Sequence, residues 1–133
     1  FFYICIMNER YIEKMKNHLN GESIRIKYNV LKNDAGHTDE EIKEICPEIK
    51  TFSDLKFGPH KVVPKGVSAY LDFDNNHFVS VVGGGQGLYG DGVTSFEVGF
   101  PDESGHIEVE GHLSPEEVTE LMIDVQSKSP NEL

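Results

Sequence analysis

The chain has 133 residues, 38% of them hydrophobic, which is enough for one ordinary globular domain with a core of its own. Its twelve Lys and Arg residues stand against 23 Asp and Glu residues, so the formal net charge is −11. A charge of this size argues against nucleic acid or an anionic membrane surface as a direct ligand, and it favours a basic protein partner.

The first six residues are apolar but too few to span a bilayer, and they lack the basic region and cleavage site of a signal peptide. Two interpretations stay open: residues 1–6 are an extension encoded upstream of Met7, or they form an edge strand. The two cysteines, Cys5 and Cys46, are too few for a disulfide scaffold and lack the spacing of metal ligands. We therefore expect two core residues in a reducing, cytoplasmic environment.

A helix and then a strand are predicted at the start of the chain. Residues 8–20 place apolar side chains on one helical face, and Gly21 is expected to end that helix. Residues 24–30 alternate apolar and polar side chains, which predicts a half-buried strand.

A second, shorter helix is predicted from Asp39 to about Cys46. Thr38 and Glu41 have the spacing of a capping box at its start. Residues 51–66 contain two prolines and two glycines without a sustained period, which predicts an irregular connection. The apolar side chains of this connection that we expect to pack onto the core are Phe52, Leu55 and Phe57.

The second half of the chain predicts two hairpins and a final helix. Period-two alternation, interrupted by turn residues, indicates strands at residues 67–73, 78–82, 95–100 and 106–110. Ser114, Pro115 and Glu117 supply the cap, first-turn proline and third-position glutamate of a helix. Its expected buried side chains are Val118, Leu121, Met122 and Val125.

These elements together predict one α+β domain spanning residues 1–133. We expect an antiparallel β-sheet of about four to five strands with the helices packed on one face.

A glycine-rich segment, residues 82–92, joins the two hairpins. Residues 85–90 match the G-x-G-x-x-G pattern of dinucleotide-binding loops, but that motif needs a helix after it, and a strand pattern follows here. The segment also lacks Lys, so we do not expect nucleotide binding. Two interpretations remain: a bent strand connection, or a mobile loop that presents Leu88, Tyr89 and Asp91 to a protein partner.

The sequence gives little support for catalysis. No serine lies in a G-x-S-x-G motif, and there is no H-E-x-x-H motif. His106, Glu108, Glu110 and His112 are close in sequence, which is compatible with a cation site or with a solvent-facing polar row on a strand. We therefore expect a protein that is not an enzyme and has no cofactor or metal. The alternative is a small metal-dependent enzyme or binder that uses the His106–His112 cluster.

The acidic residues are segregated along the chain. Residues 1–66 hold eleven basic and ten acidic side chains, whereas residues 67–133 hold one basic and thirteen acidic ones. Three carboxylates recur every fourth residue of the last helix, although each like-charge pair at that spacing costs about 0.2–0.5 kcal/mol. Charges repeating at about 6 Å along a helix resemble a nucleic-acid backbone closely enough to occupy a basic cleft.

The three sheet carboxylates, Glu97, Glu108 and Glu110, are expected to lie on the face opposite the apolar side chains. The full set of acidic residues predicted to bind a partner is Glu97, Glu108, Glu110, Glu116, Glu117, Glu120 and Asp124, together with Asp91 of the loop.

Four segments lie within about the last fifty residues: Val81–Gly84, Gly87–Gly92, Thr94–Val98 and Leu113–Val118. Together they resemble segments of small uncharacterised proteins of tailed phages and prophages. The resemblance carries no activity and no residue roles, but it implies a setting. Small acidic phage proteins made early in infection often act by binding a host enzyme, including restriction, repair and CRISPR effectors with basic clefts.

The resulting hypothesis is a non-enzymatic, phage-type interaction protein. Its specific form is an inhibitor of a host nucleic-acid-handling or defence machine, of the anti-CRISPR or anti-restriction type, acting in the host cytoplasm. A virion accessory or structural domain is a further alternative. The sequence leaves the oligomeric state open, a homo-oligomer included.

Overall fold

The computed structural model describes residues 8–130, so both interpretations of residues 1–6 lie outside the described residues. The chain divides into two compact units, Phe1–Ile49 and Lys50–Leu133. The described residues contain four α-helices and a five-stranded antiparallel sheet, which confirms the predicted α+β class. The organisation as a single domain stays a prediction. Among the described residues, no helix has both the length and the apolar character needed to cross a membrane.

The first unit is helical in its described part. Its elements are α1 (Glu9–Leu19), α2 (Ile24–Asn29), a π-helical turn (Val30–Asp34) and α3 (Asp39–Ile45). The predictions for α1 and α3 are confirmed. Gly21 follows α1 with a φ of +86°, and Thr38 and Glu41 form the expected capping box of α3. Cys46 is buried, as expected of a core residue.

The predicted strand at residues 24–30 is wrong, because this segment forms α2 and the start of the π-helical turn. The Ser23 side chain caps α2 by accepting a hydrogen bond from the N–H of Ile26 at 3.2 Å. The buried positions are Tyr28 and Leu31, whereas Ile26 is 45% exposed. Burial therefore follows a helical spacing that continues past residue 30, and it outweighs the β-propensity of the alternating isoleucines.

The second unit contains the sheet and the last helix. Its strands are β1 (Gly58–Pro59), β2 (Val67–Asp72), β3 (Phe78–Gly83), β4 (Phe96–Pro101) and β5 (Ile107–Leu113), and its helix is α4 (Pro115–Gln126). The strands are antiparallel and lie in sequence order, so β5 is at one edge of the sheet. Ser114 and Glu117 form the predicted capping box of α4, with Pro115 in the first turn.

The connection at residues 51–66 is more ordered than predicted. It includes a 3₁₀ turn (Phe52–Asp54) and the short strand β1, which pairs with β2. Phe52, Leu55 and Phe57 pack on the core as expected. This core joins one face of the sheet to α4, and its α4 members are Val118, Met122 and Val125. We call this side of the sheet the helix face and the other side the outer face.

Two polar side chains hold the C-terminal end of α4. Gln126 is 9% exposed, and its amide accepts a hydrogen bond from the N–H of Lys50 at 2.9 Å and donates one to the Lys50 carbonyl at 2.8 Å. Asn75, in the turn between β2 and β3, donates to the Val125 carbonyl at 2.9 Å. Both contacts bridge residues far apart in sequence, so they fix where α4 lies on the sheet.

Candidate functional site

The glycine-rich loop is held in place by the Asp91 carboxylate. That carboxylate accepts hydrogen bonds from the backbone N–H groups of Val93, Thr94 and Ser95 at 2.7–2.9 Å, and from the Thr94 hydroxyl at 2.7 Å. The Thr94 hydroxyl and these N–H groups keep the pKa of the Asp91 carboxyl well below its usual range. Asp91, predicted as a partner contact, therefore has a structural task inside the loop.

The backbone of this loop crosses itself closely. A Cβ on Gly83 would lie 2.8 Å from the Cα of Gly92, and Gly92 has a φ of +75°. Only residues without a side chain fit such a crossing. A strand, β4, follows the loop rather than a helix, so the condition for a dinucleotide-binding loop is absent here.

Tyr89 is presented at the surface by specific contacts rather than by a loose tip. Its N–H donates to the Glu97 carboxylate at 2.9 Å, and its carbonyl accepts from the His112 N–H at 3.2 Å. A Cβ on Gly111 would come within 2.5 Å of the Tyr89 Cβ, so the aromatic side chain lies directly over that glycine. Tyr89 is nevertheless 59% exposed, whereas Leu88 is half-buried. These contacts give Tyr89 a defined position at the surface, and its role as a partner contact stays a prediction.

The sheet carboxylates do not share one face, which corrects the expectation for Glu97, Glu108 and Glu110. Glu97 is paired with Val82 and lies on the outer face, where its carboxylate holds the Tyr89 N–H. Glu110 is paired with Val98, whose side chain is fully buried under α4. Directly paired residues of antiparallel strands point to the same side. Glu110, and with it Glu108, therefore lies on the helix face.

The register also exposes the apolar residues of β5. Ile107 is paired with Pro101 and Val109 with Gly99 on the outer face, and they are 54% and 53% exposed. Gly99 offers no side chain to cover them. An extra residue in β5 opposite β4 shifts the pairing near Gly111 and His112, and His112 has a φ of +58°. The edge strand thus has carboxylates on one side and uncovered β-branched side chains on the other.

Helix α4 adds further carboxylates on the helix face of the sheet. Glu116, Glu117, Glu120 and Asp124 are all exposed. Glu117 is engaged in the helix cap, and Glu120 and Asp124 each take part in a further interaction within the protein. The side chain of Glu116 carries none of these tasks among the contacts described. The strongest candidates for a partner contact are therefore Glu108, Glu110 and Glu116.

The only Lys or Arg after residue 67 lies against the edge of the sheet that carries these carboxylates. Lys128 is half-buried, its Nζ donates to the Pro101 carbonyl at 3.3 Å, and it lies 5.6 Å from the centre of the Phe100 ring. Phe100 is paired with Glu108, so this single positive charge is held at the strand position beside one of the carboxylates, and it can offset only part of the negative charge of this surface.

The two histidines of the His106–His112 cluster engage different neighbours. The His106 Nδ1 lies 2.8 Å from the Ser104 hydroxyl, whereas the His112 ring lies 5.7 Å from the Tyr89 ring, centre to centre. The shift in pairing after Glu110 breaks the alternation that would align them. Within residues 8–130, no group of three or more His, Cys, Asp or Glu side chains is arranged to hold a metal ion.

Sequence reasoning missed a chain of polar contacts in the first unit. The Tyr11 hydroxyl lies 2.7 Å from the His37 Nε2, and the His37 Nδ1 lies 3.3 Å from the Glu41 carboxylate. Hydrogen bonding of the Thr38 N–H to this carboxylate lowers the pKa of Glu41. This series of polar contacts links α1 to the start of α3. Its three members are 26 and four residues apart in sequence, so only the fold brings them together.

A polar cavity of about 480 Å³ lies near the C-terminal end of α4, and His77, Asp102 and Lys128 contribute to its wall. The His77 Nε2 lies 2.9 Å from the Ser129 carbonyl, so this nitrogen carries the proton. The Nδ1 of His77 is buried, and it has no hydrogen-bond partner among the described residues. No sequence motif indicates this cavity.

Comparisons with protein-family models, with curated proteins and with solved structures found no match for this chain.

Proposed function

We propose that this chain is a non-enzymatic interaction protein that binds a basic surface on another protein. The observation that carries the proposal is that three carboxylates, those of Glu108 and Glu110 of β5 and Glu116 of α4, are all exposed on the side of the sheet on which α4 packs. Because Lys128 is the only basic residue among thirteen acidic ones in residues 67–133, its single charge cannot cancel the negative potential of this surface. Such a field steers basic partners and repels polyanions.

The specific form of the proposal is inhibition of a host nucleic-acid-handling or defence protein. The cleft of such a protein is lined by Lys and Arg that neutralise phosphates. A folded surface rich in carboxylates can occupy the cleft in place of nucleic acid. The resemblance of the last fifty residues to phage and prophage proteins supports this choice of partner.

The test is affinity capture from a bacterial lysate on the immobilised full chain, at about 50 mM and about 500 mM salt. This change shortens the Debye length from roughly 14 Å to about 4 Å, so a partner held by charge is expected to be lost at high salt. A captured protein is then titrated with the chain in the presence of DNA or RNA. Competition by nucleic acid is expected if the chain occupies a nucleic-acid cleft.

Two matched variants change the net charge by the same amount, but their substitutions lie in different parts of the chain. Glu108→Lys, Glu110→Lys and Glu116→Lys are combined in one variant, and the control combines Glu13→Lys, Glu22→Lys and Glu44→Lys, which are exposed residues of the first unit. The first variant is expected to lose binding and the control to keep most of it. Equal effects of the two variants would contradict the proposed surface. Salt-insensitive binding would contradict the proposed charge mechanism.

A further inference from the structure

We infer that the partner docks by adding an extended, basic segment to the edge of β5 that pairs with no other strand within residues 8–130. The inference rests on the proposed function, and it specifies how and where the basic partner binds. The segment would pair with residues 107–110 and alternate Lys or Arg with β-branched apolar residues. This mode of recognition is strand addition to a sheet edge.

The backbone of β5 offers hydrogen bonds at this edge. In the turn before β5, the N–H of Asp102 donates to the His106 carbonyl at 2.7 Å, which identifies these two residues as a hydrogen-bonded pair. Such pairs alternate along an antiparallel ladder. The backbone N–H and C=O groups of Glu108 and Glu110 therefore form hydrogen bonds with β4. Those of Ile107 and Val109 point away from β4, toward the edge of the sheet. Pro101, the partner of Ile107, has no N–H to donate, which agrees with this assignment.

The side chains of β5 determine which segment fits. Glu108 and Glu110 are exposed on the helix face, where opposite charges on a neighbouring strand are favourable. Ile107 and Val109 are more than half exposed on the outer face, where apolar side chains of an added strand would cover them. At the other end of the strand, the His112 N–H is already bonded to the Tyr89 carbonyl. This contact limits the available edge to residues 107–110.

A second copy of this chain fits the same edge poorly. Antiparallel pairing of two β5 strands about a two-fold axis centred on Val109 would set Glu108 opposite Glu110 of the other copy. An axis centred on Glu108 would set the two Glu108 side chains opposite each other. Like charges in directly opposed positions destabilise a strand pair. Charge complementarity therefore selects a basic strand as the occupant.

The first test uses peptides of seven residues, the length of β5. One peptide alternates lysine and valine, and the other has the same composition in scrambled order, with the lysines and valines in separate blocks. Both are titrated into the full chain, and amide hydrogen exchange is followed residue by residue. The alternating peptide is expected to bind about tenfold more tightly than the scrambled one, and to slow exchange at the Ile107 and Val109 amides.

The second test uses Val109→Pro with Val109→Thr as its matched control. Proline removes an outward N–H while leaving the hydrogen bonds to β4 and every charge in place. Threonine keeps the β-branched shape and both backbone groups. Val109→Pro is expected to weaken binding of the alternating peptide about tenfold, and Val109→Thr less than about threefold.

The outcomes separate this inference from the proposed function. If Val109→Pro binds the alternating peptide as the wild type does, or if the two peptides bind alike without slowing exchange at Val109, docking at the β5 edge is overturned. The proposed function would remain supported in that case if high salt, or the variant that reverses the charges of Glu108, Glu110 and Glu116, still abolishes partner binding. The exchange measurement needs only the wild-type chain, so it decides the question even if Val109→Pro fails to fold.

Discussion

Replacement of Gln126 tests whether the buried amide positions α4. In Gln126→Ala, the N–H and C=O of Lys50 lose their partner, and α4 loses a side chain that is 9% exposed. An unsatisfied buried donor costs about 1–3 kcal/mol, and the lost packing adds to it. Because Lys50 itself is half-buried, water can satisfy part of the loss. We expect Gln126→Ala to lower the free energy of unfolding by about 2–3 kcal/mol.

Gln126→Glu keeps the size of the side chain and changes its protonation. The Nε2 of Gln126 donates to the carbonyls of Lys50 and Met122 at 2.8 and 3.1 Å, so an ionised carboxylate there would face two carbonyl oxygens. The introduced carboxyl should therefore have a folded pKa above its unfolded value of about 4.3. Below pH 4 both states are protonated and the penalty is small. The penalty grows as the pH rises. Above the folded pKa it reaches about 1.4 kcal/mol for each unit by which the folded pKa exceeds the unfolded one.

The assay is urea denaturation followed by far-UV circular dichroism at pH 4 and pH 7. Gln86→Glu, at an exposed loop position, adds the same charge and serves as the control. We expect Gln126→Glu to lose more stability at pH 7 than at pH 4, whereas the control shows little difference between the two. A loss below about 0.5 kcal/mol for Gln126→Ala, or the same pH response in both Glu variants, would refute the reasoning.

Three further predictions concern the loop and the acidic turns. Tyr89→Ala is expected to shift the melting temperature little, since the residue is 59% exposed, but to weaken partner binding by about 1–2 kcal/mol; a large fall in melting temperature would show a core role instead. Gly92→Ala should destabilise the protein more than Gly87→Ala in thermal melts, because both glycines have positive φ but only Gly92 has backbone atoms 2.9 Å from a Cβ; equal effects would contradict the close crossing. The pKa values of Asp91 and Asp102 are lowered, mainly by the hydroxyls of neighbouring Thr and Ser, so their contribution to the free energy of unfolding is present above the unfolded value of about 3.9 and is lost as the pH falls through the lower folded values; a wild-type stability that falls with acid no more than that of Asp91→Asn combined with Asp102→Asn would contradict this.

The elements with complete local signals were predicted correctly from the sequence. In α3 and α4, a capping hydroxyl and a glutamate three residues later determine where the helix begins, and both partners lie within four residues. Neither contact depends on the rest of the fold. The strand β3 was also recognised, since its alternation reflects burial on one face of the sheet.

The first-unit error at residues 24–30 has a different origin. Isoleucine and tyrosine at every second position satisfy a strand pattern, but Tyr28 and Leu31 are buried at a helical spacing. The sequence pattern is ambiguous over seven residues, and the decision comes from the side chains that surround the segment. No local signal distinguishes the two readings except Ser23, which caps α2.

The position of the candidate site could be assigned only from the register of the sheet. Alternation within β5 correctly separates Ile107 and Val109 from Glu108 and Glu110, but it does not say which set faces α4. The pairing of Glu110 with the buried Val98 answers that question, and it depends on contacts between different strands. Gln126 and Asn75 were missed for the same reason, because their partners are tens of residues away.

The carboxylates of β5 fit a partner-selecting role better than a purely protective one. An exposed sheet edge invites unwanted pairing, and charged side chains of either sign deter it, lysine being a common choice. Glu108 and Glu110 give the same protection, yet they add to an excess of negative charge where lysine would have reduced it. Protection alone gives no reason for that sign. A negative edge repels a second copy of itself while attracting a basic strand, so the same two side chains exclude one class of partner and favour another.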